Sequence, residues 1–106
     1  MFSKILWTTS AKNDYFEIVD YLNSNWGSKS ARKFSATVAK QLELISRMPE
    51  LYPVTETRKD VRRCVVAKQV SLYYQESKPN KEIIILCFFD NRRNPDNLTD
   101  ELNKVV

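Results

Sequence analysis

Histidine is absent from all 106 residues. Its absence removes the commonest general base near neutral pH, serine–histidine and cysteine–histidine nucleophile systems, and most zinc sites. Any catalysis would have to use arginine, lysine, tyrosine, aspartate or glutamate. Glycine occurs once and proline four times, which argues against a linker, a disordered tail or a low-complexity segment. There is no Gly-rich phosphate loop, metal-ligand cluster or suitably spaced pair of carboxylates, so no cofactor and no metal are expected. The two cysteines, Cys64 and Cys87, form no CxxC pair and are expected as buried free thiols in a reducing compartment. Residues 1–7 are too short and too polar for a signal sequence, and no apolar run is long enough to span a membrane. The expected location is the cytoplasm, with neither a membrane nor a small-molecule substrate as partner.

What is present is an ordinary globular composition, 28% charged and 42% hydrophobic, at a length that supports one core but not two. Residues 1–98 are expected to form a single domain, followed by a tail over 99–106. Seventeen basic residues against thirteen acidic ones leave a formal charge of +4. The mild excess favours nucleic acid, a ribonucleoprotein or an acidic protein as partner, unless it serves solubility alone.

Seven apolar residues from Ile83 to Phe89 stop at Asp90. A run so short and so rich in β-branched and aromatic residues predicts a strand buried on both faces. It delivers Arg92 and Arg93 to the surface in a loop closed by Pro95. Residues 2–8 read as a first strand, ending in the N-cap cluster Thr8, Thr9 and Ser10. Ala11, Tyr15, Ile18, Val19 and Leu22 then make one helical stripe, with Asp14 placed to suit the helix dipole. Turn formers at 23–28 break the pattern. Ser28 or Ser30 caps a second helix with the stripe Ala31, Phe34, Val38, Leu42 and Ile45, closed by Met48 and Pro49. Trp7 and Trp26 read as core or hairpin anchors. Residues 54–60 are ambiguous and have room for a short edge strand. Residues 61–68, 70–76 and 82–89 read as an antiparallel meander. The expected fold class is α+β: a two-layer β-αα-βββ arrangement, with the helical hairpin on one face of a small antiparallel sheet and the other face bare.

Five basic residues lie between 58 and 68. Period-2 alternation sends Arg62 and Arg63 to opposite faces, with Arg63, Val65 and Ala67 on one and Arg62, Cys64, Val66 and Lys68 on the other. The arginine on the bare face is suited to grip a phosphate or carboxylate; otherwise it solvates a strand edge. Tyr73 and Tyr74 split the same way, one core and one exposed. Arg92 and Arg93 offer a binding device at a rigid strand end, or an ion pair with Asp90 that fixes the turn.

The series Trp7, Ala11, Asp14, Ile18, Tyr21, Leu22, Trp26, Ala31, Phe34, Leu42, Pro49, then Val61-Arg62-Arg63, Tyr73-Tyr74 and Phe89-Asp90-Asn91-Arg92-Arg93-Asn94-Pro95, resembles the RelE/ParE toxins of bacterial type II toxin–antitoxin systems. The resemblance covers residues 6–98 and implies the same hairpin-on-sheet fold. It also implies a cognate antitoxin, encoded next door, which wraps the toxin; the net positive charge would suit an acidic wrapper. RelE-like members cut mRNA on the ribosome, which requires a base and cations around the scissile phosphate. Two positions of that type would fall at Ser71 and near Leu98 here, so the set is depleted, although Arg92 fits. ParE-like members poison DNA gyrase by binding. The resemblance therefore points to a ParE-like toxin acting on gyrase without catalysis, with Arg62, Arg63, Lys68, Arg92 and Arg93 as target-binding residues. The alternative is a ribosome-dependent mRNA endonuclease using Arg63, Tyr74 and Arg92.

Overall fold

The structure is a computed structural model, and it describes residues 3–90. The elements run β1 (Lys4–Trp7), α1 (Thr9–Trp26), α2 (Ser28–Arg47), β2 (Arg62–Ala67), β3 (Val70–Ser77) and β4 (Glu82–Asp90). The sheet order is β1-β4-β3-β2. The three later strands form the expected antiparallel meander. β1 lies parallel to β4, with Ile5 opposite Ile83 and Trp7 opposite Ile85, so the four-stranded sheet is mixed rather than wholly antiparallel. A parallel neighbour requires a long crossover, and the helical hairpin and meander supply it. β4 is thus interior, in keeping with its apolar run.

Thr8 is the N-cap of α1. Its hydroxyl oxygen accepts from the Ala11 amide at 3.0 Å and its proton faces the Leu86 carbonyl at 2.8 Å. One side chain therefore closes the helix start and pins it to β4. Asp14 lies beyond the first turn and does not cap the helix. Its Oδ2 instead accepts from the Phe88 amide at 3.1 Å, beyond Ile85, where β1 ends.

The turn expected over 23–28 contracts to one residue. α1 continues to Trp26, Gly27 serves as the joint, and α2 starts at Ser28 without a side-chain cap. Gly27 has φ 93° and ψ 167°, a region that only glycine enters cheaply. Trp26 is no core anchor. It projects from the last turn of α1 and is 69% exposed. Trp7 does anchor, stacking on Phe88 at 5.6 Å and meeting Tyr15 edge-on at 5.4 Å. Each such pair contributes roughly 0.5–1.5 kcal/mol beyond its area.

Ala31, Phe34, Val38 and Ile45 of α2 join Ala11, Cys64, Val66, Leu72, Tyr74, Ile83, Ile85 and Phe88 in the core between helices and sheet. The other sheet face is not bare. Val61, Tyr73, Leu86, Cys87 and Phe89 form a second buried cluster there. A register shift produces this division: Tyr73 opposes Cys87 while Tyr74 opposes Ile85, leaving Leu86 as the extra residue of a bulge. The alternation flips there, so Ile83, Ile85 and then Phe88 all reach the helix side. A second shift between Val65 and Ala67 moves Ala67 to the helix side, away from the face it was expected to share with Arg63. Residues 54–60 contribute one bridge, Val54 to Arg62. Among the described residues no helix is long and apolar enough to cross a membrane.

Candidate functional site

Three places gather the polar and exposed residues. The first is a groove of about 600 Å³ between α1, the β2–β3 turn and the end of β4. Ile18, Leu22, Phe34, Val70 and Phe88 supply its apolar lining, and Asp14, Glu17, Lys68 and Asp90 its charged groups. Tyr21 and Trp26 also line it, and both are largely exposed. Lys68 sits here because Lys68 and Gln69 form the turn between β2 and β3.

The second place is the corner after α2. The Arg62 guanidinium donates through Nη1 to the Tyr52 carbonyl at 2.7 Å, and the Tyr52 hydroxyl donates to Gln41 of α2. Tyr74 is 0% exposed and donates to the Pro49 carbonyl at 2.7 Å. Burial pushes its hydroxyl up to about 12, against the opposing pull of the Arg62 charge. Burial also raises the Tyr52 hydroxyl and the Cys64 thiol. These groups hold strand to helix and are poor proton donors or acceptors near neutral pH.

The third place is the face of the sheet remote from the helices. Arg63 lies directly across from Tyr73, and Val65 across from Ser71. The Arg63 Nε donates to the Ser71 hydroxyl at 3.0 Å. Ser71 is 0% and Tyr73 3% exposed, whereas Arg63 is exposed. Burial raises the Tyr73 hydroxyl, while the charge and hydrogen bond of Arg63 pull it down. Nearby on the surface, Arg58 pairs with Asp60 at 2.9 Å and Gln75 donates to the same carboxylate. The Arg58 hydrogen bond is the main reason that the Asp60 carboxyl is held low.

The sequence candidates thus separate. Arg62 and Tyr74 are spent on the corner and face the helices. Arg63 stands on the opposite face, and Lys68 is at the groove. Arg92 and Arg93 lie outside the described residues. Arg63 and Tyr74, paired in the nuclease reading, are on opposite sides of the sheet. Sequence reasoning missed the tie between Arg63 and Ser71. It also missed the groove, although Tyr21 falls off the α1 apolar stripe and so carried a signal. Among the described residues no cluster of acidic and cysteine side chains is arranged to hold a metal ion.

The family described as ParE toxin of type II toxin–antitoxin system, parDE, matches residues 5–95. No curated protein sequence matches significantly. Among solved structures the fold is similar to a chromosomal ParDE toxin–antitoxin system from P. aeruginosa, with TM-score 0.69 and 20% identity, covering 84% of this chain and 96% of that one. It is also similar to E. coli toxin RelE in the free state, with TM-score 0.68 and 12% identity, covering 98% and 97%. The toxin–antitoxin complex RelBE2 from Mycobacterium tuberculosis gives TM-score 0.62 and 16% identity, covering 85% and 92%.

Proposed function

Because this chain belongs to the ParE toxin family of type II toxin–antitoxin systems, we propose that it arrests growth by binding DNA gyrase without catalysis and that a cognate antitoxin neutralises it. The observation that carries this reading is the position of Tyr74. A tyrosine that is fully enclosed, donates to Pro49 and holds its proton up to about 12 is ill suited to general base work. It also lies across the sheet from Arg63, the cation it would have to assist.

Target binding falls to basic residues that stand in solvent. Arg63 and Lys68 are exposed, and Arg92 and Arg93 follow β4 in sequence. Arg62 is excluded by its work at the Tyr52 carbonyl. The groove beside α1 receives an apolar segment of the antitoxin. Its lining and the exposed rings of Tyr21 and Trp26 have the composition of an interface core.

The test is a pair of assays with the purified chain. Gyrase supercoiling should be inhibited, and mRNA on ribosomes should stay intact. Intact gyrase activity at excess protein, together with cleaved ribosome-bound mRNA, would move the chain to the endonuclease reading, in which Arg92→Ala abolishes toxicity.

A further inference from the structure

We propose that Arg63, held by Ser71 and backed by Tyr73, is a carboxylate clamp that takes one acidic side chain of the antitoxin; this rests on the antitoxin reading above.

The clamp is built before any partner arrives. An arginine on an open strand ordinarily samples many rotamers, and binding must freeze them. Here Nε is tied at 3.0 Å to a hydroxyl that is itself 0% exposed, so the anchor does not move. The ring of Tyr73 sits directly across the strand pair. Ser71 and the Tyr73 hydroxyl both engage the guanidinium, and because Arg63 is exposed its remaining N–H groups are left to donate to a carboxylate. Arg58 and Arg47 pair with Asp60 and Glu43, whereas no described carboxylate pairs with Arg63.

The surroundings select a peptide over a nucleic acid. On β2 and β3, Arg63 is the only basic side chain on its face. A phosphate backbone presents a charge at every step and is held by several cations. The next residue along this face is Val65, 53% exposed, which matches an apolar side chain about 6–7 Å further along an extended peptide. The clamp and Val65 therefore fit an extended segment in which an acidic residue and an apolar residue alternate.

The experiment is calorimetric titration of the full-length chain with the protein encoded beside its gene. Arg63→Ala should weaken binding about ten- to a hundredfold, as expected for a lost hydrogen bond to a charged group. Arg63→Lys should recover little, since an ammonium cannot hold Ser71 and Tyr73 in the guanidinium's planar geometry and still donate to a carboxylate. Each acidic residue of the partner is then neutralised in turn in a double-mutant cycle. One of them should couple to Arg63 by about fivefold or more and the others should not. Undiminished affinity of the Arg63→Ala variant overturns the clamp. So does a loss that couples to no acidic residue. Arg63→Gln repeats the cycle should the alanine variant unfold, as read by thermal melting. If the wild-type chain does not bind the neighbouring protein, the antitoxin reading fails first, and no variant is needed to see it.

Discussion

Three doublets, Arg62-Arg63, Tyr73-Tyr74 and Phe88-Phe89, each send one side chain to each face of the sheet, and the two members are used differently. On the helix face, Arg62 holds the Tyr52 carbonyl, Tyr74 holds Pro49, and Phe88 stacks among Trp7, Tyr15 and Phe34. All three are consumed by the fold. On the remote face, Phe89 and Tyr73 build a smaller buried cluster, and Arg63 stands above it in solvent. The aromatic pairs are buried on both faces, and only the arginines divide into one spent on the fold and one left exposed. What decides is the element packed opposite, not the chemistry of the side chain.

The phenylalanines give the largest expected effect. Phe88→Ala should cost about 3–5 kcal/mol, because a large buried ring leaves a cavity and three aromatic partners lose their contacts. Phe89→Ala should cost less, since its cluster is smaller. Urea denaturation of both variants ranks the two faces. A larger loss at Phe89 would reverse the claim that the helix face carries the main core.

The arginines come next, and they should differ in where the loss falls. Arg62→Ala removes a hydrogen bond from a charged donor to the corner and should cost about 1.5–3 kcal/mol. Arg63→Ala takes a donor from the buried Ser71 hydroxyl and should cost about 1 kcal/mol, less than Arg62→Ala, while its larger effect falls on binding. Thermal melts alongside antitoxin titration separate the two. Equal destabilisation would break the comparison.

That the arginine and tyrosine doublets split was legible in the sequence, because strand side chains alternate; the expectation that one tyrosine would be exposed fails, since a second buried cluster on the remote face encloses Tyr73 as well. The stripes of both helices and the buried run of β4 were legible for the same kind of reason. Which member faces the helices was not, since that depends on bulges. The extra residue at Leu86 decides that Phe88, not Phe89, enters the main core, and nothing in an unbroken apolar run marks it. The family resemblance conveyed the architecture and the partner class. It did not convey the tie from Arg63 to Ser71, which arises only when two strands are placed in register. Trp26 was misread because large aromatic residues are more often buried than not, and the turn formers around it hid that α1 continues to Trp26 and leaves the ring in solvent. Asp14 was misplaced because a carboxylate near a helix start suggests a dipole contact, whereas α1 begins early enough to leave it for Phe88.

The tyrosines supply the smallest effect and the most specific one. Tyr74 holds its proton up to about 12 in the folded chain, against about 10 when unfolded. A raised pKa means that the folded state binds the proton more tightly. Its contribution is therefore complete below pH 10 and is lost as pH climbs through 10 towards 12. Tyr74→Phe should lower stability at neutral pH by about 1 kcal/mol, since the Pro49 carbonyl loses its donor. The variant should then decline less steeply than the wild type between pH 10 and 12, as followed by melting temperature. Tyr73 is also raised, yet Arg63 pulls against that shift, so Tyr73→Phe should flatten the alkaline limb less. An alkaline limb that depends on Tyr73 more than on Tyr74 would mean that the remote face, not the helix face, is the one sealed more tightly from water.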